Sequence, residues 1–279
     1  MTQFKNPAAK AAALGLACLL MFSACSRDEG SAEVTPATGK TEVKPTPAPT
    51  PTTPDGDAGN FVNQQTGVTF KKVNGATTVT DYVLQIPASY NEKKTTKWPV
   101  IIYLHGVGER GTDLNLVKRS GLAVRAAGEA DFPFIVVSPQ CKPNMTWDVA
   151  ALNILYADIL KQYNIDPSRV YLTGLSMGGY GVWDWAVKFP EKFAAAVPIC
   201  GAGTPSRACA LKDMPVWAFH NADDYTVGVA GSRNMVNAIK ACGGTLVKYT
   251  ENPTGGHNAW TKAYNDPALY TWLNQQKKK

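Results

Sequence analysis

The chain is 279 residues long, 44% hydrophobic and 18% charged, with a formal charge of +6. That balance suits one globular domain with an appendage, or two small domains. The charge does not point to nucleic acid: Lys5 and Lys10 fall in a targeting segment, three more lysines form the C-terminal "KKK", and there is no basic stripe.

Taken from the N-terminus, Lys5 and Lys10 make a positive n-region. "AAALGLACLLMF" makes an apolar h-region too short to span a bilayer comfortably. The following "FSAC" resembles a bacterial lipobox, with Ser23 and Ala24 before Cys25 and Phe22 where leucine is usual. Residues 1–24 therefore read as a lipoprotein signal and Cys25 as the lipidated first residue of an exported protein at the outer membrane or cell surface. Cleavage after Ala24 with release to the periplasm or the medium is the alternative. Several acyl chains anchor firmly where one alone is marginal. Residues 25–60 are rich in Pro, Thr and small polar residues, cannot repay their ordering entropy, and read as an extended tether.

Residues 61–279 read as the folded domain. "GVTFKKV" and "TDYVLQIP" are two short strands joined by the turn-like "NGATT". "WPVIIYLHG", "FPFIVVSP", "RVYLTG", "AAAVPIC" and "MPVWAFH" are short apolar runs of the kind a strand buried on both faces requires. "LVKYTE" is a further strand. Helices are predicted over 114–127, across "DVAALNILYADILKQYN", from Met177 to Lys188, over 230–241 and along "PALYTWLNQQ". Strand alternating with helix implies a mostly parallel sheet covered on both faces, with ligands outside the C-terminal strand ends.

Those ends carry "HGVGERG", "GLSMGGYG", "HNADDYTV" and "GGHNAW". G-x-S-x-G at a strand-to-helix turn is a nucleophile elbow. It would hold Ser176 in a strained conformation, with Gly174 and Gly178 where a Cβ would collide with a neighbour. A serine hydroxyl needs a base, and His257 in its glycine-flanked loop is the natural one. The orienting acid should lie between them in the chain, and both Asp223 and Asp224 do.

On these motifs the chain resembles the α/β-hydrolase superfamily over about residues 68–275. More narrowly, it resembles secreted esterases related to feruloyl and acetylxylan esterases and polyhydroxybutyrate depolymerase-like proteins. The resemblance rests on "YLHGVGERG", "SPQC", "RVYLTGLSMGGYGVWDWA", "PVWAFHNADDYTV" and "GGHNAW". It implies a Ser–His–Asp hydrolase of carboxylic esters, feruloyl or acetyl esters on glycans or small esters. In such proteins a histidine and glycine precede the acid by fixed spacing and a valine follows; His220 and Val227 match, which places the acid at Asp224. Asn221 stands where that glycine is usual and puts the loop's shape in question. The resemblance also implies an oxyanion hole from the backbone N–H groups of Met177 and Val107.

Other candidates are weighed by position. His105 reads as structural, and His220 has no acid at a suitable strand end between itself and Ser176. Glu109 and Arg110 read as bracing the oxyanion turn. Trp183, Trp185 and Trp217 read as core, whereas Trp147, Trp260 and Gln140 follow strand ends and are candidate substrate contacts. Cys141, Cys200, Cys209 and Cys242 would lie in an oxidising compartment, and their three pairings remain open. No metal is expected, since no CxxC or His/Cys ligand spacing occurs, and no cofactor is called for. The oligomeric state is left open. A serine peptidase or lipase-like hydrolase is the alternative within the fold; it would be expected to bring a lid or propeller, for which this length leaves no room. A non-catalytic glycan-binding lipoprotein would not require all three site residues.

Overall fold

A computed structural model describes residues 65–73, 78–79, 81–93 and 95–278. The signal, Cys25 and the tether lie outside the described residues. Among these residues, eight strands form one sheet: β1 (Gly67–Lys72), β2 (Asp81–Ile86), β3 (Trp98–Leu104), β4 (Ile135–Pro139), β5 (Ile165–Leu175), β6 (Ala195–Ile199), β7 (Val216–Asn221) and β8 (Val247–Asn252). Their order is β1-β2-β4-β3-β5-β6-β7-β8. β1 pairs antiparallel to β2 and β2 to β4, and every later pairing is parallel.

Among the described residues, six α-helices cover the sheet: α1 (Gly121–Ala127), α2 (Val149–Gln162), α3 (Met177–Lys188), α4 (Ala230–Ala241), α5 (Trp260–Asn265) and α6 (Pro267–Gln275). The alternation inside β3 shows how both faces are filled. Val100, Ile102 and Leu104 join a core with side chains of α2, α3 and α4. Ile101 and Tyr103 point the other way, into a second core with side chains of α1, α5 and α6. A period of two within a wholly buried strand is what a doubly covered parallel sheet demands. Trp183, Trp185 and Trp217 are buried in these cores as expected.

Local signals fix the helix ends. Asp148 accepts the Ala150 N–H at the start of α2, and Asp266, followed by Pro267, accepts that of Ala268 at the start of α6. The helix expected over 114–127 is shorter. A turn of 3₁₀ helix (Val117–Arg119) comes first, Ser120 is extended, and α1 starts only at Gly121, whose φ is +60°. A Cβ on Gly121 would collide with the Tyr103 hydroxyl, so the break comes from packing on β3. α5 was not foreseen, being only 6 residues long.

Among the described cysteines, Cys209 and Cys242 form a disulfide, whereas Cys141 and Cys200 are free and buried. The bond ties the 3₁₀ segment Pro205–Leu211 to the end of α4. Peptide mapping of the unreduced protein should return a Cys209–Cys242 cross-linked peptide. Cys141 and Cys200 should be alkylated only after unfolding. Cys209→Ser with Cys242→Ser should lower stability by about 2–4 kcal/mol, read as a denaturant midpoint shift.

Candidate active site

Ser176 sits between β5 and α3 with φ 51° and ψ −119°, a conformation that costs an ordinary residue about 1–3 kcal/mol. Two close approaches hold it there. A Cβ on Gly174 would lie 2.7 Å from the carbonyl oxygens of both Leu104 and Gly178, and one on Gly178 would strike the Leu104 carbonyl outright. With both glycines bare, the first turn of α3 packs on the end of β3. The Ser176 N–H also donates to the Ile199 carbonyl at the end of β6, at 3.0 Å. The hydroxyl is thereby presented at the C-terminal rim of the sheet.

His257 arrives from the loop between β8 and α5. Its Nε2 is 2.8 Å from Ser176 Oγ and its Nδ1 is 2.7 Å from Asp224 Oδ2. An ionised carboxylate only accepts, so Nδ1 carries the hydrogen and Nε2 is free to accept from the serine hydroxyl. Asp224 is buried at the end of β7. Burial alone would raise its pKa. Hydrogen bonds from His257 and from the N–H groups of Val227 and Thr226 outweigh that and hold the carboxyl below its ordinary value.

The two aspartates left open by the sequence have separate tasks. Asp223 accepts the N–H groups of Gly255 and Gly256, at 3.1 and 2.8 Å, and so pins the histidine loop. Asn221, the departure from the usual glycine, helps: its Nδ2 donates to the Gly256 carbonyl, and its Oδ1 accepts from Asn252. The loop needs Gly255 and Gly256 at φ 141° and 56°, and a Cβ on Gly255 would press on the Asn221 amide at 2.5 Å. The double acid was legible in sequence; the role of Asn221 was not.

Met177 is the first residue of α3, so its N–H has no partner within the helix. Val107 opens the 3₁₀ turn Val107–Glu109 after β3. That turn is braced from several sides. Arg110 donates to the Val107 and Met145 carbonyls, and Ser120 donates to the Glu109 carboxylate. Glu109 and Arg110 thus each brace the turn through different partners. His105 lies beneath: its Nδ1–H donates to the Gly106 carbonyl and its Nε2 accepts the Cys141 N–H. Burial pushes the His105 pKa down, which keeps the ring neutral for both bonds.

The candidate substrate contacts fare differently. Trp147 walls a cleft of about 480 Å³ that also takes in Ser176, Met177 and Tyr180, and its indole N–H donates to the His105 carbonyl. Trp260 meets the His257 ring edge-on at 5.5 Å. Gln140 has another place: it is buried, and its amide donates to the carbonyls of both Glu109 and Asp113. With its donors spent on the segment after β3 it is a brace, because position at a strand end does not set which way a side chain points. His220 is occupied by Ser232 and the Val227 carbonyl.

In sequence Cys200 reads only as a disulfide candidate, not as a neighbour of the site. It is buried at the end of β6 with φ 41°. With Asp224 and His257 it makes the one group of potential metal-ligand atoms among the described residues. Burial pushes its thiol up to about 12, so it stays protonated at neutral pH, while the other two members are bonded to each other.

No protein-family model matches the chain. Among solved structures it is similar to a thermostable esterase, with a TM-score of 0.64 and 34% identity over 75% of this chain and 62% of that one. The chain is an α/β-hydrolase by fold. The chain is also similar to a bifunctional acetylxylan esterase/xylanase of Neocallimastix patriciarum, 29% identical over 133 residues, which is 45% of this chain and 19% of that protein. A probable feruloyl esterase C of Aspergillus oryzae is 25% identical over 203 residues, covering 67% of this chain and 72% of the relative. The chain thus spans less than two thirds of the thermostable esterase and of the Neocallimastix protein.

If Asp223 pins the histidine loop, Asp223→Ala should speed amide exchange at Gly255 and Gly256 at least tenfold. The central strands should keep their protection, and hydrogen-exchange mass spectrometry reads both.

Proposed function

We propose that this α/β-hydrolase is a serine carboxylic ester hydrolase acting through Ser176, His257 and Asp224, on glycans bearing feruloyl or acetyl esters or on small esters. The observation that carries the reading is the unbroken series Ser176 Oγ to His257 Nε2 at 2.8 Å and His257 Nδ1 to Asp224 Oδ2 at 2.7 Å. The similarity to esterases, by name and by fold, supports it.

The chemistry follows from the series. His257 Nε2 takes the Ser176 proton as Oγ attacks the ester carbonyl carbon. The carbonyl oxygen becomes an oxyanion, met by the backbone N–H groups of Met177 and Val107. The imidazolium then protonates the departing alcohol oxygen, leaving an acyl-serine. A water deprotonated by His257 attacks that acyl carbon, and the same proton returns to Ser176 as the acid leaves. Asp224 keeps the hydrogen on Nδ1 and offsets the transient positive charge.

Anchoring through an acylated Cys25 and the tether of residues 25–60 belongs to the same proposal. It would hold the domain clear of an outer membrane or cell surface. Labelled palmitate should mark the exported chain and leave Cys25→Ser unmarked.

Ser176→Ala should abolish hydrolysis of p-nitrophenyl acetate and methyl ferulate with circular dichroism unchanged. Asp224→Asn should lower kcat on the order of 10³–10⁴-fold. Met177→Ala should be mild, because its backbone donor survives. Wild-type rates from Ser176→Ala would remove Ser176 from the reaction.

A further inference from the structure

α3 offers substrate more than the end that carries the serine. Tyr180 lies one turn beyond Ser176 and is 45% exposed. Asp184 follows one turn later, so the two share a helix face. That face borders two cavities. One is the cleft at Ser176; the other, of about 320 Å³, lies between α3 and the chain after β6, where Thr204 and Arg207 contribute to its wall. Tyr180 and Asp184 line both, so the cavities adjoin along α3. An acetyl group fills a small part of this space.

The charge at the far cavity is unbalanced. Asp184 accepts from Lys188 at 2.8 Å, while Arg207 Nη1 stands 3.6 Å from its other oxygen, beyond hydrogen-bond reach. One carboxylate therefore faces two cations. No further protein partner of the Arg207 guanidinium occurs among the described residues. A half-exposed guanidinium with donors to spare presents a planar fork suited to a carboxylate. The nearby phenol ring gives a flat apolar surface on which a sugar face can rest.

We propose that the cavity bounded by Tyr180, Thr204 and Arg207 is a second subsite, holding the part of the substrate beyond the ester and selecting a carboxylate on it. The substrate class is then an esterified glycan carrying uronic acid groups. This rests on the ester-hydrolase reading of Ser176 and narrows its substrate.

The test compares kcat/KM of the full chain on an acetylated xylo-oligosaccharide and on the same oligosaccharide bearing a uronic acid. The acidic substrate should be preferred about fivefold or more at low salt, mostly through KM, and the preference should shrink as ionic strength rises. Arg207→Ala should bring the ratio of the two to near one. Tyr180→Ala should weaken both oligosaccharides while keeping their ratio. Equal rates on the two substrates in wild type, or an unchanged ratio in Arg207→Ala, would overturn the subsite. Calorimetry separates the layers. If folded wild type leaves p-nitrophenyl acetate intact, the ester reading fails. The subsite then stands on binding of the uronate oligosaccharide that Arg207→Ala weakens at least fivefold, and falls if wild type and variant bind alike.

Discussion

The close approach of the first turn of α3 to the end of β3 is the constraint on which the rest depends. Peptide groups can come this near only where no side chain intervenes, and Gly174 and Gly178 leave the Leu104 carbonyl room. That contact, together with the Ser176 N–H bond to Ile199, over-determines a serine in a backbone state it would not choose. The strain is sustained by β3, β5 and β6 together, which the buried pairings of the central sheet hold in place. Ser176 is rigid because its neighbours are backbone, and backbone does not adjust by changing rotamer.

The histidine is held by a different principle. Its loop has two glycines in the left-handed region and no sheet pairing, so on its own it would wander. Asp223 and Asn221, both from the end of β7, grip its backbone. The neighbouring Asp224 grips the ring. One short stretch therefore sets both where the imidazole sits and which nitrogen bears its hydrogen. The residue in the place of the usual glycine adds a clasp to the loop.

Much of this architecture was legible because buried parallel strands announce themselves as short apolar runs, and strand ends tell where chemistry collects. The order of Ser176, Asp224 and His257 was readable for the same reason. What escaped was set by distant packing. The start of α1 depends on Tyr103, 18 positions earlier in the numbering, whose hydroxyl excludes any side chain at Gly121. Gln140 lies at a strand end like the others, yet its amide turns inward onto two carbonyls. The link between Cys209 and Cys242 joins segments 33 residues apart and could not be told from its rivals. Cys200 carries no motif at all.

That link has a bearing on where the protein can work. The 3₁₀ segment holding Cys209 also holds Arg207, so the sulfur bridge steadies one bank of the far cavity from outside. Ser176, between β5 and α3, and Asp224, just after β7, lie outside the two segments that this bond joins. On the proposed subsite, a thiol-rich milieu that opened the bridge would loosen the bank carrying Arg207 while leaving the Ser176–His257–Asp224 bonds in place.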